Sequence, residues 1–276
     1  MSIGPDDFTF FRAWLKERSA ITLEPGKEYL VESRLERIVR EQRADGVGAL
    51  IRKLRAGGNP TFETAVIEAL TTNETSFFRD WRPFEALKGK VIPELMASRG
   101  PARRIDIWSA ASSSGQEAYS LSMMLTESFP SIGTWNVGIH ASDLNAEMVQ
   151  RVKAGRYTQL EVNRGLPAPL LVKHFRQEAG DWVIAEQHRK RVKAFPLNLA
   201  SAWPSLPTMD VVLLRNVLIY FEIPMRAAIL EKLRRVLAPD GYLFLGSAES
   251  TVGIHDGYRR DEANGSVFFR PVASSA

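Results

Sequence analysis

The hydrophobic pattern of the chain changes character near Ile105. Before that point, apolar positions recur at spacings of three and four, the period of helices with one buried face. Phe8, Phe11 and Leu15 form one stripe. Tyr29, Leu30, Leu35, Ile38 and Val39 form a second, on a helix expected over residues 27–44. Gly46, Gly48 and the run Gly57-Gly58-Asn59-Pro60 punctuate further short helices. After Ile105, short apolar runs alternate with helical ones. The pattern predicts strands near 105–108, 136–140, 192–196, 209–214, 241–246 and 266–270, with helices near 116–128, 145–153 and 223–237. Such alternation implies an α/β domain with a mostly parallel sheet covered on both faces. Between Gly155 and Arg191 it is interrupted, and Pro167, Pro169 and Trp182-Val183-Ile184 predict a helix and a small hairpin added on to the core.

Composition narrows this picture. The 276 residues contain no cysteine, which excludes disulfides, thiolate metal sites and a cysteine nucleophile. Four histidines (His140, His174, His188, His255) stand apart without paired metal spacing, so no metal is expected. Asp6 and Asp7 precede any apolar run, which argues against a signal peptide. The most apolar stretch, Val211–Phe221, is short and broken by Arg215 and Asn216, so no membrane insertion is expected and a cytoplasmic location fits. The net charge of +4 allows an acidic partner without demanding nucleic acid. The excess of cations is local. Residues 34–55 carry seven basic and three acidic residues, with Arg34, Arg37 and Arg40 on one helical row, and residues 151–193 carry ten and four. Taken alone, the arginine row reads as either a solvated face or a docking surface.

The chemistry is expected beyond the C-terminal ends of the strands, where open α/β sheets bind their ligands. The first strand runs into Ala110-Ala111-Ser112-Ser113-Ser114-Gly115, a chain of small residues that lets backbone approach a ligand, followed by a helix start. Asp143 follows the second strand, where a carboxylate can accept from ribose hydroxyls, or can simply cap the helix after it. It lies 28 residues beyond Gly115, and the loop lacks Gly-x-Gly-x-x-Gly, which argues against a dehydrogenase. A Gly-Lys-Ser/Thr phosphate loop is missing too. A ligand with adenosine but no pyrophosphate fits better, and S-adenosylmethionine is the commonest of these. Its cationic end makes Glu117 a plausible contact, although a first-turn acid also complements a helix dipole. Arg215 and Asn216 place polar groups directly after a buried strand, where a core would avoid them. Tyr220 either points its hydroxyl into the cleft or packs beside Phe221. In the segment 71–80, Asn73 or Thr75 reads as a helix cap, and Phe77-Phe78-Arg79 as a pocket wall.

Several of these stretches together resemble the chemotaxis receptor methyltransferase family (CheR). They are Thr72-Asn-Glu-Thr-Ser-Phe-Phe-Arg79, Ile107-Trp-Ser-Ala-Ala-Ser-Ser-Ser-Gly-Gln-Glu-Ala-Tyr-Ser120, Ala141-Ser-Asp-Leu-Asn145 with Ala154-Gly-Arg-Tyr157, Asn198-Leu199, and Leu214-Arg-Asn-Val-Leu-Ile-Tyr-Phe221. The resemblance implies a Rossmann-like methyltransferase sheet with an N-terminal all-helical domain (1–72), a linker contributing to the cofactor pocket (73–90), and a catalytic domain (91–276). A small β subdomain is inserted at about 156–191. It implies transfer of a methyl group from S-adenosylmethionine to glutamate carboxylates of chemoreceptor signalling helices, with S-adenosylhomocysteine as product.

By the same resemblance Asn73, Thr75 and Arg79 would contact the cofactor, while Glu117 and Asp143 would hold its amino-acid end and ribose. Asn198 and Leu199 would flank the adenine, and Arg215-Asn216 would complete the pocket. Arg79 and Tyr220 would position the substrate glutamate. A carboxylate is already ionised at neutral pH, so no general base is needed and a site poor in His and Cys is expected. The acidic receptor helices make the face of Arg34, Arg37 and Arg40 the expected docking surface of a monomer. The chain departs from the family's usual pattern at Gln116, at Glu74, and in the short segment 175–185, which lacks the usual glycine-rich turn for gripping a receptor peptide. Two other readings use the same cofactor loop: a methyltransferase acting on RNA or a small molecule, and a non-enzymatic cofactor-sensing adaptor. The basic segments lack the interleaved aromatics that stack on single-stranded bases, which argues against RNA.

Overall fold

The computed structural model describes residues 3–272. The chain divides into two units, Met1–Thr72 with Tyr220–Met225, and Asn73–Ile219 with Arg226–Ala276.

The first unit holds four helices: α1 (Pro5–Ser19), α2 (Glu28–Glu41), α3 (Val47–Arg55) and α4 (Pro60–Leu70). Two of the starts follow from local chemistry. Pro5 and Pro60 occupy first-turn positions, where a missing N–H costs nothing, and the Asn59 side chain caps α4 by accepting from Phe62 N–H. Their apolar faces meet in one cluster built on Phe11, Leu15, Val31, Leu35, Ile38, Leu50, Ile51 and Val66. The stripe of α2 differs from expectation. Val31, Leu35 and Ile38 are its buried positions, while Tyr29 is 63% exposed.

Arg34 is not part of an open basic face. Its guanidinium donates to the carbonyls of Leu70 (2.5 Å) and Thr71 (2.9 Å) and to Thr72 Oγ1 (2.9 Å). The two carbonyls lie at the C-terminal end of α4, so Arg34 closes that helix. Arg37, which pairs with Glu41, and Arg40 are exposed.

The second unit begins with α5 (Arg82–Ala86), which continues through a π-turn at Leu87–Val91 into α6 (Ile92–Ser98). There follow β1 (Arg104–Ala110), α7 (Gln116–Ser128), β2 (Asn136–Asp143), α8 (Ala146–Ala154), β3 (Arg156–Tyr157), α9 (Gln159–Asn163) and α10 (Ala168–His174). The chain then runs through β4 (Phe175–Glu178), β5 (Asp181–Ile184), α11 (Glu186–Arg191), β6 (Val192–Pro196), β7 (Met209–Leu214), α12 (Ile223–Val236, whose first residues fall in the first unit), β8 (Leu237–Leu245), β9 (Tyr258–Ala263) and β10 (Ser266–Pro271).

The main sheet has seven strands in the order β6-β2-β1-β7-β8-β10-β9. Its first five strands are parallel, and β10 runs antiparallel to both of its neighbours. From β1 the chain moves outward to β2 and β6 on one side, then returns to lay β7 and β8 on the other. The strand order therefore reverses between β1 and β7, the position at which open α/β sheets form their ligand crevice. β7 is buried along its whole length and β1 from Ile105 onward, as expected of central parallel strands.

The inserted segment forms a second sheet, β3-β5-β4. Its hairpin turns on Ala179 and Gly180, both with positive φ, the two-residue turn that matches strand twist. The segment is not an add-on. Tyr157, Val162, Leu166, Phe175 and Ile184 belong to the main hydrophobic core.

Candidate active site

The end of β1 is a loop shaped by three positive φ values, at Ala111, Ser113 and Gly115. Gly115 opens α7, and its lack of a side chain leaves room for packing at the loop. A Cβ there would stand 3.0 Å from Val152 and 3.3 Å from the Tyr157 hydroxyl. The serines hold the loop. Ser112 N–H donates to the Ser142 carbonyl at 2.8 Å, the Ser113 hydroxyl donates to the Asn73 carbonyl at 2.7 Å, and the Ser114 hydroxyl donates to Gln116 Oε1 at 2.9 Å. The Tyr157 hydroxyl donates to the Ser114 carbonyl at 2.8 Å, so the inserted segment also fixes the loop. Burial holds the Tyr157 phenol well above its ordinary pKa, which keeps it a donor.

Asp143 ends β2 and is buried. Its carboxylate accepts from Ser113 N–H (2.7 Å) and Asn145 N–H (2.9 Å). Helix α8 is capped by the Asn145 side chain, so Asp143 orders the loop instead of capping the helix. Beyond β6, Asn198 Oδ1 accepts from Ala200 N–H at 2.9 Å, and the carbonyl of the buried Leu199 accepts from Lys232 Nζ at 2.6 Å. Lys232, which sequence reasoning missed, is also 5.0 Å from the Trp203 ring, and burial lowers its pKa.

At the end of β7 the buried Arg215 guanidinium is shared among three acceptors. It donates to Glu117 Oε2 at 2.8 Å, Asp80 Oδ2 at 2.6 Å and the Arg79 carbonyl at 2.9 Å. The other oxygen of Glu117 accepts from the Ser109 hydroxyl at 2.7 Å. Glu117 and Arg215 are thus one ion pair, not two independent contacts. One guanidinium between two carboxylates leaves the cluster with a net charge of −1, which suits a cationic ligand.

The segment before it departs from expectation in two ways. No helix starts at Asn73 or Thr75, since residues 72–76 are irregular. Phe77 and Phe78 are buried in the core, edge-on to Tyr157, Phe175 and Phe84, rather than walling a pocket. Phe78, Asp80 and Trp81 all take positive φ, and this strained turn is fastened by the Arg215 bonds to Arg79 and Asp80. The Arg79 side chain donates to the Glu74 carbonyl, and the Glu74 carboxylate pairs with Arg164 at 3.0 Å. Glu74 therefore ties this segment to the insertion. Tyr220 falls in the first unit, where its carbonyl accepts from Thr22 N–H at 3.4 Å.

In the second unit, Glu117, Asp143, Asn198, Leu199, Arg215 and Asn216 lie just beyond the ends of β1, β2, β6 and β7, and the carbonyls of Asn73 and Arg79 join them through Ser113 and Arg215, while Thr75 lies in the irregular segment 72–76. Its donor set fits S-adenosylmethionine. Three polar atoms in these loops, Ser112 Oγ, Arg215 Nε and Asn216 Oδ1, are buried with no partner among the described residues. Among the described residues, no helix is long and apolar enough to cross a membrane, and no group of three or more ligating side chains could hold a metal ion.

Comparison with known proteins shows the family. The profile of the CheR methyltransferase all-alpha domain matches residues 6–71, and that of the CheR methyltransferase SAM binding domain matches residues 73–264. Chemotaxis protein methyltransferase Cher2 of Pseudomonas putida is 39% identical over 274 residues, covering 98% of this chain and 99% of its own. Chemotaxis protein methyltransferase 1 of Pseudomonas aeruginosa is 39% identical over 276 residues, with the same coverage of both chains. The chemotaxis protein methyltransferase of Vibrio parahaemolyticus is 35% identical over 279 residues, covering 98% of each.

Proposed function

The chain belongs to the CheR methyltransferase family and is an S-adenosylmethionine-dependent methyltransferase of chemotaxis, and from that premise we propose which residues do the work and on what. The substrate is the glutamate side-chain carboxylate of chemoreceptor signalling helices, which becomes a methyl ester. When bound, S-adenosylmethionine supplies an electrophilic methyl group on a cationic sulfur, which an ionised carboxylate accepts without a general base.

Asp143, at the end of β2, accepts from the ribose hydroxyls. Asn198 and Leu199 border the adenine, and Asn73 and Thr75 close the pocket from the segment before α5. Glu117 takes the ammonium of the cofactor's amino-acid end, and Arg215 holds that carboxylate in place. The net −1 cluster of Glu117, Arg215 and Asp80 is the observation that carries this reading, because it offers the cationic end of the ligand a half-buried carboxylate held in place by a buried guanidinium. Arg79 orients the substrate carboxylate, so that the gain comes from positioning and exclusion of water.

Arg37 and Arg40 supply the docking charge on α2, without Arg34, and meet the acidic receptor helices in the cytoplasm as part of a monomer. The two-residue hairpin turn at Ala179-Gly180 leaves little surface for a receptor peptide, so the helix face carries recognition.

Asp143→Ala and Asp143→Asn test the site. Calorimetry with S-adenosylhomocysteine is expected to show affinity at least about tenfold weaker for Asp143→Ala, the scale of one lost charge-assisted hydrogen bond, and an intermediate value for Asp143→Asn. Unchanged affinity in a folded Asp143→Ala removes Asp143 from the site.

A further inference from the structure

Four backbone N–H groups converge on one carboxylate at the end of the central strands. Glu249 Oε2 accepts from Gly246 at 2.7 Å and Asn216 at 2.8 Å, and Oε1 accepts from Val217 at 2.8 Å and Ile219 at 3.3 Å. Glu249 lies in the loop after β8, while Asn216 and Val217 follow β7. One side chain therefore clasps the C-terminal ends of two neighbouring parallel strands. An ionised carboxylate suits this task, since its two oxygens accept several donors at once and charge strengthens each bond.

The clasp enforces an unusual local conformation. Asn216 has φ +58°, which a residue other than glycine holds only when its surroundings over-determine it. Gly246 makes the close approach possible. A Cβ there would stand 2.7 Å from Glu249 Oε2 and 2.8 Å from both the backbone N and Nδ2 of Asn216. The Asn216 amide is thus lodged against the Gly246 backbone, and its Oδ1 is buried without a partner among the described residues. A buried acceptor left without a donor is costly, and a ligand hydrogen placed there would complete it.

We propose that Glu249, with Gly246, is a positioning residue for the methyl-transfer site: it sets Asn216 so that Oδ1 accepts a hydrogen bond from the polar end of the bound methyl donor. This rests on the functional reading above. Glu249 itself touches neither donor nor substrate; it acts through the backbone of Asn216 and Val217.

The test uses the full chain and four variants: Glu249→Gln, Gly246→Ala, Asn216→Ala, and the double variant with Glu249→Gln and Asn216→Ala. Affinity for S-adenosylhomocysteine is measured by calorimetry, with kcat and KM on a receptor cytoplasmic fragment and a thermal melt for each variant. Glu249→Gln is close to isosteric, but it presents an NH2 group to N–H donors. The expected result is cofactor affinity weakened about tenfold in each single variant, the scale of one hydrogen bond to a charged group. KM for the receptor fragment stays unchanged, and the double variant is no weaker than Asn216→Ala alone. Non-additivity is the signature of one residue acting through the other. The proposal is overturned if folded Glu249→Gln binds the cofactor as the parent does, if only the melting temperature moves, or if the two losses add. A parent chain that binds no cofactor overturns the functional reading instead.

Discussion

Acidification from pH 7 to pH 5 is expected to destabilise the second unit through one buried relay. Glu127 Oε1 lies 3.0 Å from His174 Nε2, His174 Nδ1 lies 2.9 Å from His188 Nε2, and His188 Nδ1 lies 2.8 Å from Ser122 Oγ. Arg191 donates to the Ser122 carbonyl and hydroxyl and to Thr126 Oγ1. The directions are fixed from one end. Glu127 accepts from Nε2–H of His174. Burial favours the neutral form of both imidazoles. In a neutral His174, Nδ1 is then an acceptor and takes Nε2–H of His188, whose own Nδ1 accepts from the Ser122 hydroxyl. His188 is fully buried, and desolvation, aided by His174 and Arg191, lowers its pKa from 6.5 to about 3. His174 is lowered as well, by burial.

The unfolded chain therefore takes up a proton at His188 below pH 6.5, which the folded chain refuses until about pH 3. Stability is full above pH 6.5 and falls as pH drops through that window, because the unfolded state binds more protons. The slope is about 1.4 kcal/mol per pH unit for one group, so pH 5, about 1.5 below the free value, costs about 2 kcal/mol through His188. His174 adds to the loss. Carboxylates with depressed values, such as Glu161 and Asp106, start from free values of 4.5 and 3.8 and contribute below this window. Urea unfolding of the parent and of His188→Gln at pH 7 and pH 5 measures the effect. The parent should lose about 2 kcal/mol more than the variant between the two pH values. Equal losses would refute the relay.

Three other substitutions probe separate parts of the account. Arg37→Glu is expected to raise KM for the receptor fragment while leaving cofactor affinity unchanged; equal loss of both in titrations would point to misfolding. Arg34→Ala should instead lower stability by about 1–3 kcal/mol in urea unfolding, because it strips the donors from the carbonyls that end α4. Gly115→Ala combines a left-handed φ of +94° with a Cβ 3.0 Å from Val152, and should cost about 1–3 kcal/mol in thermal unfolding.

The strand ends were the most readable part of the chain, for a physical reason. A buried parallel strand is a short apolar run, so the polar residues directly after it stand out. Ser112, Asp143 and Arg215 were visible in that way. Pairing was not. Periodicity reports that a position is buried or exposed but not what it meets, so Arg34 read as a docking cation although it closes α4. For the same reason His174 and His188, 14 residues apart, gave no sign of their contact. The aromatics at Phe77-Phe78 read as a pocket wall because a polar run precedes them, whereas the insertion supplies rings that bury Phe77, and Trp81 and Phe84 pack on Phe78. Strand β9, Tyr258–Ala263, escaped because an edge strand carrying Arg259, Arg260, Asp261 and Glu262 shows no apolar alternation. Glu249 escaped because an acid in a loop normally faces water, and only the fold turns four N–H groups toward it.

Transfer of a radiolabelled methyl group from S-adenosylmethionine to a purified chemoreceptor cytoplasmic fragment tests the central claim most directly. The account predicts label on glutamate residues that mild base releases as methanol, the behaviour of a carboxylate ester. Label that survives base, or none on a receptor fragment in the presence of bound cofactor, would contradict it.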